Sequence, residues 1–146
     1  MQRHRQKQAF MLQALALSRQ ALPACLPNPP VACLLVKHGL VVARGFTQAI
    51  GGNHAEVQAL NACNCDSADL TAYVTLEPCS FVGRTPSCAQ TLIDSGIKHV
   101  VVAMLDPDPR NNGRGIKMLR DAGVVVEFGC CEAEVGKFLS PYLGLS

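Results

Sequence analysis

The stretch Ala72-Tyr73-Val74-Thr75-Leu76-Glu77-Pro78-Cys79-Ser80 decides how this chain folds. Its first half is rich in aromatic and β-branched side chains and reads as a strand over 72–76. The strand runs into a loop over 77–86. A helix is expected over 87–94, closed by Gly96, and a β-branched run over 98–104 reads as the next strand. Working back towards the N-terminus, 54–62 carries Ala55, Val57, Ala59, Leu60 and Ala62 at helical spacing, with Asn53 as the expected N-cap. Ahead of it, 31–37 and 40–46 read as a hairpin turning at His38-Gly39. Phe10, Met11, Ala14, Leu15, Leu17 and Ala21 describe an amphipathic opening helix, stopped by Leu26-Pro27-Asn28-Pro29-Pro30. Towards the C-terminus come a turn-rich loop over 106–112 and a helix over 115–122 closed by Gly123. A strand over 124–128 and a helix over 132–139 follow. Helix, hairpin, then alternating helix and strand predict an α/β domain. Its five-stranded mixed sheet is covered by helices on both faces, and residues 1–146 form a single domain.

Composition bounds the function. Of 146 residues, 49% are hydrophobic and 16% charged, which excludes a disordered chain. The net charge of +2 shows neither the excess nor the basic stripe of a dedicated nucleic-acid binder, and 5% aromatics offer few stacking platforms. No apolar run reaches the ~18 residues of a membrane helix. Arg3, Arg5 and Lys7 ahead of an apolar stretch, with Leu22-Pro23-Ala24-Cys25 beyond, have the outline of an export signal. Gln13 and Arg19-Gln20 break it, so the segment is read as a helix and the expected location is the cytoplasm. The 8 cysteines are then expected as thiols or metal ligands rather than disulfides.

The chemistry lies in His54-Ala55-Glu56, followed by Pro78-Cys79 and then Cys88. One imidazole and two thiolates make a three-ligand zinc set. That leaves a fourth tetrahedral position for water, the catalytic rather than the structural arrangement. His54 opens one helix and Cys88 another, and the positive ends of two helix dipoles favour thiolate over thiol. Glu56, two residues beyond His54, is placed to carry protons without ligating the metal. His-x-Glu with a downstream Pro-Cys is the pattern of zinc deaminases, usually with two residues between the cysteines. Here there are eight, from Ser80 to Ser87.

With that long spacing, Thr75-Leu76-Glu77-Pro78-Cys79-Ser80, Gly83-Arg84-Thr85-Pro86 and Cys88 resemble the deaminase domain of the riboflavin biosynthesis proteins RibD and RibG. These belong to the cytidine/deoxycytidylate deaminase superfamily. Asn28-Pro29, Gly45-Phe46, Gly51-Gly52, Asp106-Pro107 and Gly113-Arg114-Gly115 extend the resemblance over about residues 8–128. It implies a cytidine-deaminase-like α/β/α fold and zinc-dependent hydrolytic deamination of a diaminohydroxyphosphoribosylaminopyrimidine, a pyrimidine nucleotide. Zn2+ would be held by His54, Cys79 and Cys88, with Glu56 catalytic and Asn28, Thr47 and Arg84 binding substrate. It also implies a homodimer or higher assembly. The family's fused reductase domain has no counterpart in these residues, so a separate reductase is the expected pathway partner. Phe81 stands where the family has His, Ser87 where it has Pro, Thr47 where it has His, and Asp108 where it has Asn. These departures, all on expected rim loops, keep open the same chemistry on another base, nucleoside or nucleotide. A non-catalytic, zinc-binding partner subunit is the remaining alternative.

The other candidates have plainer readings. Cys63, Cys65, Cys130 and Cys131 lack further ligands nearby and read as ordinary thiols, and Cys25 and Cys33 as core residues. His4 and His99 read as surface residues. Gly113-Arg114-Gly115 reads as a helix entry rather than a phosphate loop.

Overall fold

His38 and Gly39 both adopt positive φ, 50° and 79°, the conformation that lets a two-residue turn follow the twist of its strands. They join β1 (Ala32–Lys37) to β2 (Leu40–Phe46) as the expected hairpin. The remaining elements of this computed structural model are α1 (Gln2–Ser18), α2 (Ala55–Ala62), β3 (Leu70–Val74), α3 (Cys88–Ser95), β4 (His99–Val102), α4 (Arg114–Asp121), β5 (Val125–Phe128) and α5 (Glu132–Leu139). The structure describes residues 2–49, 51–63, 66–81 and 86–143.

The strands form one mixed sheet in the order β2-β1-β3-β4-β5, antiparallel from β2 to β3 and parallel from β3 to β5. Side chains alternate across the pleat. The register therefore puts Leu34, Tyr73, Val101 and Glu127 in one row on one face, and Cys33, Val74, Val102 and Phe128 in the next row on the other. On the first face, the Phe10 ring of α1 lies 5.3 Å from that of Tyr73, and Lys7 bonds Glu127 at 2.7 and 2.8 Å. α5 begins beside α1, where the Cys131 sulfur donates to Gln8 O at 3.7 Å, and Arg19, just beyond α1, covers the Phe138 ring. On the second face, α2 packs so closely on β2 that a Cβ at Gly45 would overlap the Ala55 carbonyl oxygen. α3 lies between α2 and α4. The result is the expected three-layer α/β/α arrangement. No helix among the described residues is long and apolar enough to cross a membrane.

Two expectations are corrected. The N-cap of α2 is His54, not Asn53: His54 is extended (φ −71°, ψ 164°) and makes no side-chain cap bond. Its imidazole instead turns to the cysteines. The third strand begins at Leu70 rather than Ala72. Asp66 caps a short turn, accepting from Ala68 N at 3.0 Å, and the chain enters the sheet directly after it. The ladder also ends early, at Val74. Beyond it the Thr75 hydroxyl accepts from Ala32 N at 3.1 Å, and Glu77 N crosses to Met104 O at 3.0 Å.

Candidate active site

In sheets with parallel strands, ligands collect beyond the carboxyl ends of those strands. Here the loop after β3 carries Cys79, and the loop after β4, residues 106–113, faces it across a cavity of about 730 Å³. The N-terminal ends of α2 and α3 point into the same cavity. His54 stands at the first, and Cys88 opens the second. Ser87 caps α3, its hydroxyl accepting from Gln90 N at 3.1 Å. The Cys79 loop is tied to α3 by Ala89 N to Cys79 O at 3.0 Å and Cys88 N to the Cys79 sulfur at 3.2 Å.

One donor atom each from His54, Cys79 and Cys88 lies within 4.8 Å of the others, with His54 Nδ1 2.8 Å from Cys88 Sγ. Bonds of ~2.0–2.3 Å in a tetrahedron correspond to donor separations of about 3.5–3.8 Å, so the cluster suits zinc with a small adjustment. The electrostatics agree. Hydrogen bonding from the Cys88 thiol pulls Cys79 down to about 4, against the opposing effect of burial. Cys88 is pushed up, first by that same bond. The pair thus favours thiolate at Cys79, and a cation would favour it at both sulfurs. Glu56, in the first turn of α2, is 4% exposed, and burial is the main cause raising it to about 7.

The substrate-binding candidates separate. Asn28 is exposed and lines the cavity. Thr47 also lines it, but its hydroxyl is engaged by backbone: it accepts from Val31 N at 3.0 Å and donates to Pro29 O at 3.1 Å. It therefore holds the turn that follows Asn28. Arg84 and Cys65 lie outside the described residues. Cys25 and Cys33 are buried as expected. His99, read as a surface residue, is half-buried and bonds Glu127 at 2.6 Å.

Two polar residues that build the site carried no separate role in the sequence reading. Glu77 is 3% exposed, and its carboxylate accepts from Asp106 N, Gly113 N and Ile116 N at 3.0, 2.9 and 3.1 Å. It clips the wall loop and the start of α4 to the cysteine loop. Asn111 is fully buried and donates to Pro78 O at 3.1 Å. Gly115 completes the join, because any Cβ there would strike the Pro78 carbonyl oxygen. Glu77 and Gly115 fall within the quoted motifs; nothing in the spacing marked Asn111.

Comparison with known proteins agrees with this geometry. Residues 4–104 match the family model for the cytidine and deoxycytidylate deaminase zinc-binding region. The diaminohydroxyphosphoribosylamino-pyrimidine deaminase of Buchnera aphidicola (subspecies Schizaphis graminum) is 40% identical over 129 residues, covering 88% of each chain. The riboflavin biosynthesis protein RibD of Aquifex aeolicus is 46% identical over 125 residues, 86% of this chain and 35% of that protein. The present chain thus spans about a third of that relative's length. The solved structure of Acinetobacter baumannii RibD superposes with a TM-score of 0.92 at 42% identity, covering 97% of this chain and 40% of that one. The chain belongs to the cytidine and deoxycytidylate deaminase zinc-binding family, on the branch of the RibD-type riboflavin-biosynthesis deaminases.

Proposed function

We propose that this chain is a zinc-dependent aminohydrolase acting on diaminohydroxyphosphoribosylaminopyrimidine. The observation that carries the reading is the His54, Cys79 and Cys88 donor cluster beside a buried Glu56 at one cavity. The likeness to a Buchnera deaminase over 88% of both chains supports the choice of substrate.

His54, Cys79 and Cys88 would hold the zinc, which when bound would supply Lewis-acid activation of water near neutral pH. Water adds to the ring carbon that bears the amino group, the carbon–nitrogen bond to that group breaks, and ammonia leaves. Glu56 takes one proton from the water and gives it to the ring nitrogen, then carries the second to the departing amino group. Glu56 suits this role by its place, buried in the first turn of α2 beside the donor cluster. Asn28 contacts the substrate at the rim, Thr47 keeps the turn after Asn28 in shape, and Arg84 is a further substrate-binding residue on the motif it belongs to. The protein acts in the cytoplasm as a homodimer or higher assembly, and a separate reductase takes its product.

Phe81 and Asp108 on the cavity wall favour a second reading, the same hydrolysis of another base, nucleoside or nucleotide. Ammonia release separates the two. The zinc-loaded protein is assayed with the diaminopyrimidinone ribosylamino phosphate, dCMP, cytidine and guanine. The expected kcat/KM is at least 100-fold higher for the first. No ammonia from it, with turnover of any other, overturns the first reading.

A further inference from the structure

Phe81, Asp108 and Arg110 come from two loops and form one unit on the cavity wall. The Arg110 guanidinium carbon lies 4.5 Å above the centre of the Phe81 ring. Its Nε lies 3.2 Å from both carboxylate oxygens of Asp108, and Nη2 donates to one of them at 2.7 Å. Arg110 N also donates to that carboxylate, at 2.9 Å. The side chain nonetheless stays 69% exposed.

Three features of this unit suit an anion. First, among the described residues lining the cavity, Arg110 is the only lysine or arginine. Second, the neighbouring carboxylates are engaged. Those of Glu77 and Asp106 accept backbone and amide N–H groups, and that of Asp108 accepts Arg110 itself. Third, Asp108 takes only the Nε/Nη2 side of the guanidinium. The outer Nη1/Nη2 end keeps its N–H donors, the fork that suits a phosphate bidentately. Phe81 supports the flat face through a cation–π contact and, having no acceptor atom, does not compete for those donors.

We propose that Arg110, laid on Phe81 and oriented by Asp108, is a specificity-determining residue that grips the phosphate monoester of the substrate. This rests on the reading of the substrate as a phosphorylated pyrimidine nucleotide. It also gives Phe81 a use at the rim, as a platform for Arg110.

The test compares wild type, Arg110→Ala, Arg110→Lys and Phe81→Leu, each checked for zinc content and far-UV spectrum. KM and kcat are measured on the diaminopyrimidinone nucleotide and on its dephosphorylated nucleoside. Binding of ribose 5-phosphate is measured by calorimetry. For Arg110→Ala the expected result is a 10- to 100-fold fall in the nucleotide-to-nucleoside ratio of kcat/KM. That fall should lie mostly in the nucleotide KM, with ribose 5-phosphate affinity lost in parallel. Arg110→Lys, which keeps the charge without the fork, and Phe81→Leu should fall between. An unchanged ratio in Arg110→Ala overturns the proposal, as does ribose 5-phosphate binding that is absent from wild type or indifferent to Arg110. If wild type does not turn over the nucleotide but binds ribose 5-phosphate through Arg110, the assigned substrate fails and the phosphate site stands.

Discussion

Replacing Glu77 by Gln changes one oxygen to an amide and tests whether this carboxylate holds the site together. Oε1 accepts from Asp106 N and Gly113 N, and Oε2 from Ile116 N. Hydrogen bonds to a charged group contribute about 1.5–3 kcal/mol each. A glutamine keeps its oxygen for the first pair and turns an NH2 donor onto Ile116 N. One bond is lost outright, leaving an unsatisfied N–H on a residue that is 4% exposed, at about 1–3 kcal/mol. The other two lose their charge assistance, roughly half their strength. The expected destabilisation is about 3–5 kcal/mol, less than the ~5–15 kcal/mol typical of a whole domain, so the variant still folds. Urea unfolding at pH 7, followed by far-UV circular dichroism, measures it as a lower midpoint with an unchanged slope. Turnover should fall as well, since residues 106–110 lie on the cavity wall. A destabilisation under 1 kcal/mol would refute the reasoning, because the loop after β4 would then be held by something other than Glu77.

Cys79→Ser and Cys88→Ser should each lose most of the zinc, read by metal analysis after dialysis. Full retention in both would assign the wrong ligands. Glu127 is held below the usual carboxylate range, first by the hydrogen bond from Lys7 and then by that from His99. Its stabilisation is therefore present above the unfolded pKa of ~4.3 and disappears as pH falls through the lower folded value. With its side chain 42% exposed, Glu127→Gln should cost only about 0.5–1 kcal/mol at pH 7. Denaturant unfolding at pH 7 and pH 3 checks this; an equal loss at both pH values would contradict it.

Much of the fold was legible because strong local signals agreed with the tertiary structure. His38-Gly39 turns as read, and the apolar spacing of α1 marks Phe10, Met11 and Ala14, all buried. The candidate metal cluster was legible because His54 and Cys88 stand at helix starts that propensity marks and Cys79 lies in the loop between β3 and α3, so the topology that joins these places brings the three donors together. The missed details depend on long-range contacts. Asn53 has the composition of a helix cap, but His54 takes that position because its imidazole belongs with the cysteines. Leu70 and Thr71 join β3 because their partners Lys37 and Val36 in β1 extend that far. The bonds of Glu77 reach across 29 to 39 residues, and those of Asn111 to Glu77 and Pro78 across 34 and 33, beyond the reach of any local pattern. The pairing of Phe81 with Arg110 likewise exists only once two loops meet.

The most direct test of the reaction is ammonia release by wild type and Glu56→Gln on the diaminopyrimidinone nucleotide, with zinc measured on the same samples. Glutamine keeps the size of the buried side chain and removes its proton-carrying group, and general acid–base catalysis contributes typically ~10²–10⁴-fold. Both proteins should hold about one zinc per chain, as three ligands and an open position require. Turnover of the variant should fall by at least about 100-fold. A Glu56→Gln protein that holds its zinc and releases ammonia at the wild-type rate would contradict the assignment of Glu56 as proton carrier, and with it the mechanism.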